Sequence, residues 1–234
     1  ELAIIGELAT RYDVIVLEDL AYLCMDFRTN LGHPFEPPFA PTVAKYTDNY
    51  ILMLSSSKIF SYAGQRMALL CISDALFDKR YPALAQRYND SGVFGETLIA
   101  SILYMITSGA TAYAEMLRLS TEGQLNFVED TREYAVRAEK MKKIFTDNGF
   151  HIVYDTDVTQ TVGDGFFFTI GYGDMEGGEL LRELLYYGVS SISLSTTGSY
   201  QRGVRACTSR MNDELYPVLE ERMKLFHQDH PINE

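Results

Sequence analysis

No stretch of this 234-residue sequence approaches the roughly 20 consecutive apolar residues that a membrane-spanning helix needs. No charged-then-apolar leader opens it either. Both absences lead to the expectation of a cytoplasmic protein. Cationic excess is also missing: 20 Lys and Arg stand against 32 Asp and Glu, a formal net charge of -12. Neutralising phosphates is a task for cations, so a nucleic-acid-binding surface is not expected. Cysteine is scarce. Cys24, Cys71 and Cys207 lie far apart in no metal-ligand spacing, two of them inside apolar runs, as buried free thiols of a reducing compartment do. The four histidines, His33, His151, His227 and His230, show neither metal nor triad spacing and are assigned no chemistry. Internal repeats and low-complexity tracts are absent.

What remains is a chain of ordinary apolar content, long enough to bury a substantial core as one large domain or two small ones. Leu2, Ile4, Ile5 and Leu8 carry a helical apolar stripe from the first residues, so the chain is expected to start inside a helix with a segment before it. Val14 to Leu17 is a short continuous apolar run of the kind found in a parallel strand covered on both faces, and Glu18-Asp19-Leu20-Ala21-Tyr22 follows its end. In open α/β sheets ligands gather beyond the carboxyl ends of strands, which makes this segment a place to look for chemistry. A Pro- and Gly-rich loop, Arg28 to Pro41, comes next. Tyr50 to Leu54 and Met67 to Ile72 read as further strands. Asp74 is expected to cap a helix running to about Tyr88, and Gly95 to Ser108 reads as a second, apolar helix. From Ala110 to Asn148 the pattern is helical and increasingly charged, a long helix or a broken pair stopped at Asn148-Gly149. Beyond it, strands at His151 to Tyr154, Gly165 to Ile170 and Gly203 to Cys207 alternate with helices at Glu179 to Tyr187 and Asp213 to Phe226, the rhythm of a smaller α+β domain.

The most telling stretch is Leu54 to Arg66, where an apolar run ends in Ser55, Ser56 and Ser57, then Lys58, with Arg66 eight residues on. A lysine directly after a buried strand sits where desolvation disfavours its charge, which prepares the amine for Schiff-base chemistry. Serine hydroxyls and a guanidinium are what a phosphate needs. Each of these residues also has an ordinary structural role: Asp19 as a turn cap, Tyr22 as a half-buried core tyrosine, Lys58 and Arg66 as solvated surface residues, and Arg205 as the partner of a surface carboxylate.

Taken in order, Asp19-Leu20-Ala21-Tyr22, Ser55 with Lys58 and Arg66, and Arg205 in the run Gly203 to Cys207 resemble the fold-type I pyridoxal-phosphate enzymes, specifically the class I/II aminotransferases. The lysine motif is the most specific part of the resemblance. The late arginine is the least, since Arg202 and Arg210 lie close by. The resemblance implies an α/β fold, with residues 1–125 as part of a large, mainly parallel-sheet cofactor domain and residues 126–234 as a small C-terminal α+β domain. It implies pyridoxal 5'-phosphate as cofactor, bound by Asp19 at the ring nitrogen, Tyr22 at the phenolic oxygen, Ser55, Ser57 and Arg66 at the phosphate, and Lys58 as a Schiff base. Lys58 would then act as general base at the substrate α-carbon, and Arg205 would grip the substrate α-carboxylate. The activity implied is transfer of an amino group between an L-amino acid and a 2-oxo acid, in a homodimer.

The resemblance covers only the later half or somewhat more of the family's usual length. A glycine-containing phosphate loop, an aromatic ring for the pyridine and an asparagine for the phenolic oxygen, all supplied by the family's earlier half, are not found here. The resemblance therefore implies the C-terminal portion of a longer enzyme, inactive in isolation. A carbon-sulfur lyase or aminocyclopropane-carboxylate synthase would use the same lysine, aspartate and arginine. A regulator built on an aminotransferase-like domain, or a remnant without activity, is also open, because fold and cofactor residues do not fix reaction type.

Overall fold

Helix α1 (Leu2–Tyr12) takes up the opening apolar stripe and stops at Asp13, whose left-handed backbone (φ 51°) lets its N–H reach the Ala9 carbonyl. The computed structural model describes residues 1–28, 31, 35–103, 110–163 and 165–232. The chain divides into two units, one of Glu1–Cys24 and Leu31–Val128, the other of Met25–Asn30 and Glu129–Glu234.

In the first unit, strands β1 (Val16–Asp19), β2 (Tyr50–Ser55) and β3 (Ala68–Ile72) lie in that order. β1 runs parallel to β2, with Asp19 opposite Met53, whereas β3 returns antiparallel, with Ser55 opposite Ala68. A mainly parallel sheet is thus represented among the described residues by one pairing of each kind. Between β2 and β3 stand only the one-turn helix α2 (Ser56–Ile59) and a 3-10 turn at Ala63–Gln65, with no full helix to carry the chain across the sheet.

These strands are also less covered than their apolar runs predict: Leu17 is 62% exposed, and Leu69 and Leu70 are 36% exposed each. The helices of this unit pack mainly on one another and on connecting turns. α1 lies on the turn Val43–Lys45, and α3 (Asp74–Phe77) and α4 (Pro82–Tyr88) lie on α5 (Phe94–Leu103).

The single helix expected from Asp74 to Tyr88 is therefore two. Tyr81 is extended (φ -120°, ψ 110°), as a residue before proline tends to be, and Pro82 starts α4. Ser73, not Asp74, caps α3, its Oγ accepting the Leu76 N–H at 3.0 Å. The long helical pattern from Ala110 is also divided, into α6 (Ala110–Thr121), α7 (Phe127–Thr131) and α8 (Glu133–Asp147), with Gly123 at φ 72° turning the chain after α6. Asn148 and Gly149 (φ 84°) stop α8 as their sequence predicts.

The second unit is built on an antiparallel sheet in the order β4-β7-β9-β8, formed by Phe150–Ile152, Phe167–Tyr172, Val204–Cys207 and Ile192–Ser193. A two-residue pairing of β5 (Thr156–Asp157) with β6 (Gln160–Thr161) stands apart from it. Helices α8, α9 (Gly177–Tyr186) and α10 (Leu215–Asp229) bring Phe145, Leu180, Leu184, Met223 and Phe226 against Ile170, Tyr172 and Val204 of the sheet, all of them buried. The rings of Phe150, Tyr172 and Tyr187 each meet that of Phe226 at centroid distances of 5.0–5.3 Å.

The three cysteines are free, yet not all are buried. Cys24 and Cys71 are half-buried, and Cys207, next to the edge of the sheet's register with Phe167, is exposed. Burial pushes the Cys24 thiol up to about 11 and raises that of Cys71. Among the described residues no helix is long and apolar enough to cross a membrane.

Candidate active site

The end of β2 and the turn that follows it form the centre of the site. Ser55 is both the last residue of the strand and the N-cap of α2, its Oγ accepting the Ser57 N–H at 3.1 Å. Ser56 is fully buried and anchors the turn from the other side: its hydroxyl donates to the Met67 carbonyl at 2.8 Å and its N–H to the same oxygen at 3.2 Å. Those two bonds hold residue 67 beside residue 56, which places Arg66 next to the start of α2. Lys58, the third residue of that turn, is half-buried.

Parallel pairing of β1 with β2 brings the second motif alongside. Asp19 closes β1, and the Leu20 N–H still bonds the Met53 carbonyl at 2.9 Å. Residues 20–23 then turn, the Leu23 N–H returning to the Leu20 carbonyl at 3.0 Å. The turn carries Tyr22 to Lys58, whose Nζ lies 6.0 Å from the centre of the tyrosine ring. Asp19 is exposed and its Oδ1 accepts the Ala21 N–H at 3.0 Å, so its capping role is present, while Oδ2 can still take another donor.

Arg66 is exposed in a left-handed backbone (φ 55°) and uses Nη1 on the Ala63 carbonyl at 2.9 Å, which leaves the rest of its fork for a ligand. Ser55 likewise keeps its O–H for donation after accepting from Ser57. An amine, a carboxylate, a phenol, serine hydroxyls and a guanidinium are thus gathered around two strand ends. This donor set fits a phosphorylated aromatic aldehyde: the amine would meet the aldehyde, the carboxylate the ring nitrogen, the phenol the ring oxygen, and the hydroxyls with the guanidinium the phosphate.

Arg205 belongs to the second unit. It is half-buried in β9, opposite Thr169 and Ile192, and its guanidinium carbon lies 4.0 Å from the centre of the Phe167 ring. Among the described residues it has no carboxylate partner, so stacking orients the fork while leaving its edge donors for an anion. Arg202 is engaged differently, through Asp174 at 3.3 Å and Glu176 at 2.7 Å. That difference favours Arg205 over Arg202 as a carboxylate receptor.

Sequence reasoning missed the support beneath the lysine turn. Tyr113 of α6 is buried, donates its hydroxyl to the Leu54 carbonyl at 3.2 Å and meets the Phe60 ring edge-on at 5.8 Å. Phe127 meets the same ring at 5.3 Å. Burial raises the Tyr113 hydroxyl above its ordinary value, keeping it a donor. Nothing in the helical pattern around Tyr113 distinguishes it from its neighbours. Its partner lies 59 positions away.

The family model described as aminotransferase class I and II matches residues 1–222. No curated protein sequence matches the chain. Solved structures do. An aromatic aminotransferase from Pyrococcus horikoshii OT3 has a TM-score of 0.65 at 17% identity over 97% of this chain and 54% of its own. An aspartate aminotransferase double mutant from Thermus thermophilus gives 0.61 at 16% identity, over 96% and 51%. An amino transferase from Eubacterium rectale gives 0.67 at 12% identity, over 99% and 52%. The chain spans about half the length of these structures, and at such identities the likeness is one of fold.

Proposed function

The chain belongs to the aminotransferase class I and II family, and on that footing we propose that it carries part of a pyridoxal 5'-phosphate site within an enzyme that moves an amino group between an L-amino acid and a 2-oxo acid. The observation that carries this reading is the approach of Lys58 Nζ to the Tyr22 ring at 6.0 Å, which joins two sequence motifs at neighbouring strand ends. When bound, the cofactor supplies an electron sink for the α-carbon of the amino acid.

The residues of this chain do the rest. Lys58 would be the attachment point and, with its amine free, would move the proton at the substrate α-carbon. Asp19 would hold a proton at the ring nitrogen. Tyr22 would donate its hydroxyl to the ring oxygen. Ser55, Ser57 and Arg66 would bind the phosphate, and the Ser57 N–H holds the Ser55 oxygen in place. Arg205 binds the substrate carboxylate and so determines which bond at the α-carbon is presented for cleavage. A homodimer is part of the proposal, supported by the apolar side chains that the first unit leaves exposed.

Borohydride reduction of the whole protein with pyridoxal 5'-phosphate, followed by peptide mapping, should place the label on Lys58. Label on another lysine, or none, overturns the assignment. With an amino acid alone, an aminotransferase releases a keto acid without ammonia, whereas ammonia release would favour a carbon-sulfur lyase.

A further inference from the structure

Ser56 is a polar residue with no exposed surface, and its N–H, carbonyl and hydroxyl are all used within the segment that carries Lys58 and Arg66. The N–H and the hydroxyl both reach the Met67 carbonyl, at 3.2 and 2.8 Å. The Ser56 carbonyl accepts the N–H groups of Phe60 at 3.3 Å and of Tyr62 at 3.2 Å. Both ends of the segment are thereby fixed to one buried residue. Between them the backbone is left-handed twice, at Ser61 (φ 51°) and at Arg66 (φ 55°, ψ 48°). Residues with a side chain rarely adopt that region, where Cβ crowds the following carbonyl oxygen. Gly64, the one residue of the segment without that penalty, takes neither position. A strained backbone lasts only where its surroundings over-determine it. Here they include the two Ser56 bonds to Met67, the residue that follows Arg66.

We propose that Ser56 is a positioning residue for phosphate binding: through Met67 it latches Arg66 in the left-handed backbone that turns the guanidinium back over its own loop, next to the start of α2. The bond from Arg66 Nη1 to the Ala63 carbonyl at 2.9 Å gives that direction. The inference rests on the reading of Lys58 and Arg66 given above, and adds the group that sets their spacing. A long side chain free to rotate loses conformational freedom when it grips an anion. A fork aimed beforehand loses less and binds more tightly. Being buried, Ser56 itself meets no ligand, unlike its half-buried neighbours Ser55 and Ser57, and acts through the backbone alone.

Borohydride labelling of Lys58 in the 234-residue chain, with pyridoxal 5'-phosphate and with pyridoxal in parallel, separates phosphate recognition from amine reactivity. Ser56→Ala keeps the backbone bond to Met67, so the turn still closes, but loses the hydroxyl. The preference for the phosphorylated aldehyde, read as the ratio of half-saturating concentrations, should fall about fivefold with pyridoxal labelling unchanged. A turn that had merely loosened would lower both alike. A second pair of variants reads the backbone without any ligand. Arg66→Gly and Arg66→Ala both lack the guanidinium, and only the latter retains the left-handed penalty. Amide exchange across residues 56–67 should therefore be about fivefold slower in Arg66→Gly. Combined with Ser56→Ala, that margin should shrink, because half of the latch is gone. An unchanged preference, a parallel loss with both aldehydes, or an exchange margin that is absent or indifferent to Ser56 would overturn the proposal. Label missing from Lys58 with both aldehydes would overturn the underlying reading together with the phosphate role of Ser56, a result that the exchange margin keeps distinct from failure of the latch.

Discussion

In the second unit, β7 and β9 deliver Ile170, Val204 and Ala206 into a core closed by Leu180, Leu184, Met223 and Phe226, while in the first unit the comparably apolar strands β1 and β3 leave Leu17, Leu69 and Leu70 at the surface. The strands do not differ enough in composition to explain this. The difference lies in what packs on them: α8, α9 and α10 present apolar stripes to the sheet of the second unit, whereas α1, α3, α4 and α5 pack chiefly among themselves and on turns. Burial is thus a property of a strand and its cover together. The functional consequence is that Asp19, Tyr22 and Arg66 are exposed groups beyond lightly covered strands, while Ser55, Ser57 and Lys58 in the turn after β2 are half-buried. Arg205 is half-buried as well, in the well-packed sheet.

The largest expected effect tests this contrast directly. Phe226→Ala removes a fully buried ring in contact with those of Phe150, Tyr172, Tyr187 and His230 and should cost about 3–5 kcal/mol. Leu17→Ala, at a side chain mostly in solvent, should stay within about 0.5 kcal/mol. Urea titration followed by hydrogen-exchange mass spectrometry reads the two units separately, and a comparable loss at both positions would break the comparison. A middling effect is expected from Tyr113→Phe, which removes the donor to the Leu54 carbonyl and should cost about 1 kcal/mol while speeding exchange across residues 54–60. No local change there would mean that the lysine turn does not depend on α6.

The smallest effect concerns acid stability. The hydrogen bond from Lys79 holds the Asp13 carboxyl below its ordinary value. A depressed folded-state value contributes stability above the ordinary carboxylate range and loses it as pH falls towards the depressed value. Asp13→Asn should therefore flatten the acid limb of the first unit alone. An unchanged acid limb would show that the exposed pair is screened to insignificance.

Much of this was legible residue by residue. Hydrophobic periodicity places most elements within a few positions, because backbone hydrogen bonding and side-chain period are local. The stop at Asn148-Gly149 is local too, as is the strand that ends in Ser55. The split at Pro82 was equally available in the sequence: proline constrains the residue before it, and the helical periodicity from Asp74 to Tyr88 obscures that signal. Covered strands could not be read in the same way, since Val14 to Leu17 has the same composition whether or not a helix lies over it.

The order and spacing of Asp19, Tyr22, Ser55, Lys58 and Arg66 are fixed in the chain, and so are the ionisable groups they bring and the family they indicate. Their meeting is not, because the approach of Tyr22 to Lys58 depends on the parallel register that sets Asp19 against Met53. The same holds for Tyr113 beneath the lysine turn and for Phe167 beneath Arg205. Sequence determines local conformation and chemical inventory through short-range sterics and periodicity. Contacts between residues tens of positions apart are decided only when whole faces pack, by which surfaces can exclude water together.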